Sequence, residues 1–148
     1  MRFIIYGFSG SGKTTRLKEL ELQNNQTDYQ FVDLDEYILS LEPSYKRLGN
    51  LIEDKGWSWF RNRELQVIME LLMHENIYIA LGGGSVSESL VSSLKKIEFN
   101  GIYLNVDFET CWMRIKNDTN RPLVKLGLDQ CLAIYNERVK MFKQLERL

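Results

Sequence analysis

Gly7-Phe8-Ser9-Gly10-Ser11-Gly12-Lys13-Thr14 follows a short apolar run, Phe3 to Tyr6, and precedes a stretch of helical periodicity, Thr14 to Leu22. The order strand, Gly-x-x-x-x-Gly-Lys-Thr, helix is the context in which this motif cradles a nucleotide phosphate. Gly7, Gly10 and Gly12 permit backbone conformations that turn successive amides inward. The helix that opens near Lys13 adds free N–H groups and the positive end of its dipole. Lys13 is placed to reach the β- and γ-phosphates, and the Thr14 hydroxyl to ligate Mg²⁺. The bland alternative is a glycine turn with a chance lysine, which leaves the full motif in its proper context unexplained.

Outward from this loop, four apolar runs read as strands: Phe3 to Tyr6, Gln30 to Asp33, Ile77 to Leu81 and Gly101 to Val106. Helical periodicity fills the intervals over Thr14–Leu22, Glu64–His74, Glu88–Lys95, Thr110–Lys116 and Leu128–Leu145. Alternation of strands and helices predicts an α/β fold, a mainly parallel sheet covered on both faces in three layers. No repeat, low-complexity tract or linker interrupts the 148 residues, a length that suits one domain.

Charge narrows the partners. With 19 basic and 20 acidic residues the net charge is −1, so no general field draws the chain to nucleic acid or anionic lipid. The apolar N-terminal run is too short for a signal peptide or a membrane span, and a cytoplasmic location is expected. Cys111 and Cys131 lie far apart, with His74 the lone histidine, so reduced thiols are expected and a zinc site is not. His74 reads as a surface residue, and Trp57 and Trp59 as packing residues.

Other features select among phosphate-loop proteins. Val32-Asp33-Leu34-Asp35 ends the second strand; strand alternation puts both carboxylates on one side, where they suit Mg²⁺ water coordination and acceptance of a hydroxyl proton. The competing reading is a polar strand end that caps the next helix. Arg61 and Glu64 lie three apart at a helix start, so the carboxylate is placed to orient the guanidinium, unless the two form only an exposed surface pair. Gly82-Gly83-Gly84 lets bare backbone approach a ligand, or serves as a flexible turn. The polar stretch Asn117–Leu123 suits a lid that carries Arg121 to the phosphates. Arg61, Arg121 and Arg138 have the forked donors that grip a carboxylate or phosphate, but their convergence is not readable from spacing.

In this order of signals (phosphate loop, Asp-x-Asp, Phe-Arg-x-x-Glu, Gly-Gly-Gly, Arg-Pro-Leu, final arginine) the chain resembles the shikimate kinases, from Phe3 to about Arg138. The resemblance implies a P-loop kinase fold over residues 1–148, with a lid around 114–125, that transfers the ATP γ-phosphate to the 3-hydroxyl of shikimate. It makes Lys13, Asp35 and Arg121 catalytic. It assigns Gly10, Ser11, Gly12, Lys13, Thr14, Thr15, Arg114 and Arg121 to the nucleotide. Asp35, Arg61, Gly82, Gly83, Gly84 and Arg138 go to shikimate, and Thr14 and, through water, Asp33 to Mg²⁺. A gluconate-kinase-like enzyme would keep the loop and lid without needing the set Asp35, Arg61 and Arg138. A degenerate binding module would keep the contacts with little turnover.

Three departures stand out. Trp57 replaces the acid of the family's Gly-Glu-x-x-Phe-Arg segment, and Lys140-Met141-Phe142 replaces Pro-Leu-Tyr. The chain stops at Leu148, before the family's fifth strand and last helix. The edge of the Gly101–Val106 strand and one wall of the adenine site are therefore expected to be open unless a partner covers them. A monomer is expected otherwise.

Overall fold

The computed structural model describes residues 1–148. In chain order the elements are β1 (Arg2–Tyr6), α1 (Lys13–Gln23), β2 (Gln30–Asp33), α2 (Leu34–Ser40), α3 (Leu48–Lys55) and α4 (Trp57–Leu71). Then follow β3 (Ile77–Ala80), α5 (Glu88–Leu94), β4 (Asn100–Tyr103), α6 (Phe108–Ile115), α7 (Pro122–Lys125) and α8 (Leu128–Glu146). All strand pairs are parallel, in the order β2-β3-β1-β4. Ile4 of β1 lies opposite Ile79 of β3 and Gly101 of β4. β4 is an edge strand, paired with β1 alone.

Strand alternation splits the core. Ile4, Tyr6, Ile77 and Ile79 face the larger cluster, with side chains from α2, α4, α5, α6 and α8. Ile5, Tyr78 and Ala80 face a smaller cluster closed by Leu17 and Leu20 of α1. On that thinner side Tyr78 stacks between Phe3 and Phe31, with ring centroids 4.4 and 5.1 Å away. Ile79 is wholly buried, and its truncation to Ala is expected to cost about 2–5 kcal/mol. Both cysteines are buried free thiols, and no helix is long and apolar enough to cross a membrane.

The sheet and its parallel direction match the sequence reading, and several boundaries move. β2 stops at Asp33 because that side chain caps α2: its Oδ1 accepts the Glu36 amide at 3.3 Å. Asp35 therefore sits in the first turn of a helix, and strand alternation is not what brings the two acids together. β4 ends at Tyr103, three residues short of Val106. α4 opens at Trp57, seven residues before Glu64, and closes at Leu71. Its buried stripe is Phe60, Glu64, Val67, Ile68 and Leu71. A carboxylate in that stripe breaks the apolar periodicity that would have marked the helix start. Helices α2, α3 and α7 were not read from the sequence.

Candidate active site

The cradle is built first, from backbone. Gly12 caps α1 at φ +97°, and Gly10 turns at φ +83°. A Cβ on Gly10 would also fall 2.9 Å from the Cys111 carbonyl, so α6 packs against bare backbone there. Lys13 is buried, and its Nζ donates to the Gly7 and Phe8 carbonyls at 2.8 and 2.9 Å. Burial pushes its pKa down to about 8, even though Asp35 nearby pulls the other way. Thr14 Oγ1 donates to Asp33 Oδ2 at 2.8 Å. One carboxylate thus caps α2, the second of the two readings that the sequence left open, and also holds the threonine.

A cavity of about 600 Å³ lies over this loop, lined by Ser9 to Arg16 with Asp33, Asp35, Gly82, Gly83, Arg114 and Arg121. Gly10, Ser11, Gly12 and Thr15 line its wall, and the Ser11 hydroxyl is enclosed without a partner. Arg114 Nη1 donates to the Gly10 carbonyl at 2.9 Å. Arg121 lines the cavity while its Nε is held by Asp118 at 3.0 Å. Asn120, in the stretch read as a lid, accepts from Arg47, the residue before α3, at 3.0 Å.

The second half of the site is made of side chains from distant segments. Arg61 Nη1 donates to Glu64 Oε1 at 2.5 Å, and Ser85 Oγ donates to Glu64 Oε2 at 2.6 Å. Glu64 is 2% exposed, so this is an enclosed anchor and not the surface pair weighed above. Arg138 approaches from α8, its guanidinium 5.6 Å from the Phe8 ring centre. A Cβ on Gly84 would touch Arg61 Nη2 and lie 2.8 Å from Arg138 Nη2. The two guanidiniums therefore converge over a residue that has no side chain. No carboxylate lies within ion-pair distance of Arg138. Burial, and then Arg61 beside it, push its pKa down to about 10. Two neighbouring cations with one anion between them leave room for a second negative charge.

Asp35 stands between cradle and clamp. A Cβ on Gly82 would lie 2.8 Å from Asp35 Oδ1, so the carboxylate rests on bare backbone. Burial, then Glu64 and Asp33, push its pKa up to about 6. A smaller cavity of about 170 Å³ lies over the clamp. Ser9, Asp35, Gly82, Gly83 and Arg121 line both cavities and mark where two bound molecules would meet.

Sequence reading missed two contributors. Ser85 locks the far oxygen of Glu64; its place directly after the triple glycine was the available signal. Trp57 packs against Phe60 as expected, but at 48% exposure it also lies over Arg61, 4.8 Å from ring centre to guanidinium carbon. Trp59 is half-buried against the core as expected.

A parallel sheet with a phosphate cradle after its first strand, facing a small basic cavity, defines a P-loop phosphotransferase acting on a small anionic acceptor. The family model described as shikimate kinase matches residues 9–148, and the chain belongs to that family. It is 32% identical over 144 residues to the shikimate kinase of Persephonella marina, covering 96% of this chain and 84% of that one. The crystal structure of the Aquifex aeolicus shikimate kinase superposes with a TM-score of 0.80 at 30% identity, over 97% of this chain and 83% of that one. Shikimate kinase from Acinetobacter baumannii in complex with shikimate gives 0.78 at 26% identity, over 99% and 78%.

Proposed function

We infer that this protein transfers the γ-phosphoryl group of ATP to the 3-hydroxyl of shikimate. The observation that carries the acceptor is the meeting of Arg61 and Arg138 over Gly84. That pair offers a fork for a ring carboxylate, within one cavity wall of the phosphate cradle. In this reading the clamp fixes the ring so that one hydroxyl points at the cradle. Asp35, with a pKa of about 6, is ionised at neutral pH and accepts the hydroxyl proton. The freed oxygen lone pair forms the bond to Pγ, and the bond from Pγ to the β–γ bridging oxygen breaks, its electrons leaving with ADP. Lys13 and Arg121 face the charge that gathers on the phosphate oxygens. Arg114 and Thr15 line the rest of the nucleotide wall.

The donor set fits Mg²⁺. Thr14 Oγ1 and Asp33 Oδ2 lie 2.8 Å apart on the cavity wall, and no group of three or more His, Cys, Asp or Glu forms a cage. One hydroxyl and a carboxylate acting through water suit a small hard cation that keeps most of its waters. Bound there with the nucleotide, Mg²⁺ would neutralise charge on the β- and γ-phosphates.

A coupled assay of ADP release with and without shikimate tests the reading. Shikimate-dependent release is expected. Turnover with another polyol acid but not with shikimate would reassign the acceptor, and calorimetric binding without turnover would reduce the chain to a binding module.

A further inference from the structure

Trp57 opens α4 at the rim of the acceptor cavity, nearly half exposed, and takes part in neither the cradle nor the core. Its ring centre lies 4.8 Å from Arg61 Cζ, and its own edge meets Phe60 at 6.1 Å and 79°. Phe60 is buried and packs against the indole. Arg61 is thus restrained by three neighbours: Glu64 holds Nη1 at 2.5 Å, and the Trp57 and Phe60 ring centres lie 4.8 and 5.6 Å from its Cζ. Nη2 is left toward Gly84 and Arg138. An aromatic face restrains a guanidinium without neutralising it and leaves its in-plane donors free. A second carboxylate in the same place would compete with an incoming anion for those donors.

We propose that Trp57 is a positioning residue for the acceptor carboxylate, its ring holding the Arg61 guanidinium in the plane in which the free edge meets Arg138 over Gly84. The inference rests on the shikimate reading above. It separates ring chemistry from bulk: a phenyl ring replaces the function, and a branched alkyl group of similar size does not.

The test uses the full chain and the variants Trp57→Phe, Trp57→Leu and Trp57→Ala, with KM for shikimate, KM for ATP, kcat and thermal midpoint measured for each. Leu and Ala are expected to raise the shikimate KM about five- to tenfold, the size of one partly desolvated cation–π contact. Phe should stay within about twofold of the parent, and ATP KM and midpoint should not move. In an Arg61→Ala background, Trp57→Ala should have no further effect on shikimate binding, because the ring acts through that arginine. A shikimate KM for Trp57→Leu equal to that of the parent overturns the proposal, as does an undiminished effect of Trp57→Ala in the Arg61→Ala background. Failure of the parent protein itself to release ADP in response to shikimate is a different result; it overturns the functional reading and this inference with it.

Discussion

The phosphate cradle and the carboxylate clamp solve the same problem, holding an anion, with opposite materials. Eight consecutive residues, Gly7 to Thr14, make the cradle, and its main groups are backbone amides set by glycine turns. The clamp gathers Arg61 and Glu64 from α4, Gly84 and Ser85 from the loop after β3, and Arg138 from α8. The clamp's hydrogen bonds join side chains, and all but the Arg61–Glu64 pair within α4 depend on packing between distant segments. A backbone site loses little when a neighbouring side chain changes. A side-chain site loses its geometry when any one member goes.

The largest effect should come from the one side chain on which the cradle relies. Lys13→Ala is expected to lower kcat by about a thousandfold, with shikimate binding unchanged by calorimetry. A loss below tenfold would break the contrast, because the backbone alone would then suffice. Arg61→Ala should raise the shikimate KM by about 10- to 100-fold, the worth of a charge-assisted hydrogen-bond pair, and leave the ATP KM within about twofold. An unaltered shikimate KM would remove the clamp assignment. Gly84→Ala is milder. The nearest atoms that the added Cβ would meet belong to the Arg61 and Arg138 side chains and not to backbone, so the chain should fold and the shikimate KM should rise about tenfold through displaced guanidiniums.

The smallest effects are those of pH, and they sharpen the comparison by giving each half its own limb. Asp35 must be ionised to accept a proton, so kcat/KM should fall below about pH 6. Lys13 must be charged, so it should fall again above about pH 8. Stability carries a separate signature. The folded chain raises the Asp35 pKa from 3.8 to about 6, so the ionised carboxylate destabilises the fold as pH rises through that interval. Asp35→Asn should therefore stabilise the protein at pH 7.5 by about 1–2 kcal/mol, a partly exposed group giving less than the full shift. Below pH 4 that gain should vanish. Chemical denaturation at the two pH values reads it directly.

The same contrast governs what the sequence disclosed. The cradle was legible residue by residue, because its spacing and its geometry are one thing. The sheet was legible because its strands are short apolar runs between helices. Asp33 and Asp35 were brought together on the wrong geometry, since the cap made by Asp33 turns the chain into α2 before a second alternation. The convergence of Arg61 with Arg138 was hidden in spacing and is created by α8 packing across Phe8. Glu64 hid the start of α4 by placing a carboxylate in its buried stripe, the same carboxylate that anchors the clamp. Trp57 does pack, against Phe60, and what its place in the sequence did not show is the cation that lies over its ring.

Lys13, folded back onto the Gly7 and Phe8 carbonyls, makes nucleotide capture a proton-linked event. Near pH 8 about half of these ammonium groups are neutral in the free protein, and an arriving polyphosphate favours the charged form. Each mole of nucleotide bound then draws a fraction of a mole of protons from the buffer. The heat of binding at that pH should vary with the ionisation enthalpy of the buffer, and at pH 6, where Lys13 is already charged, this contribution to the heat should disappear.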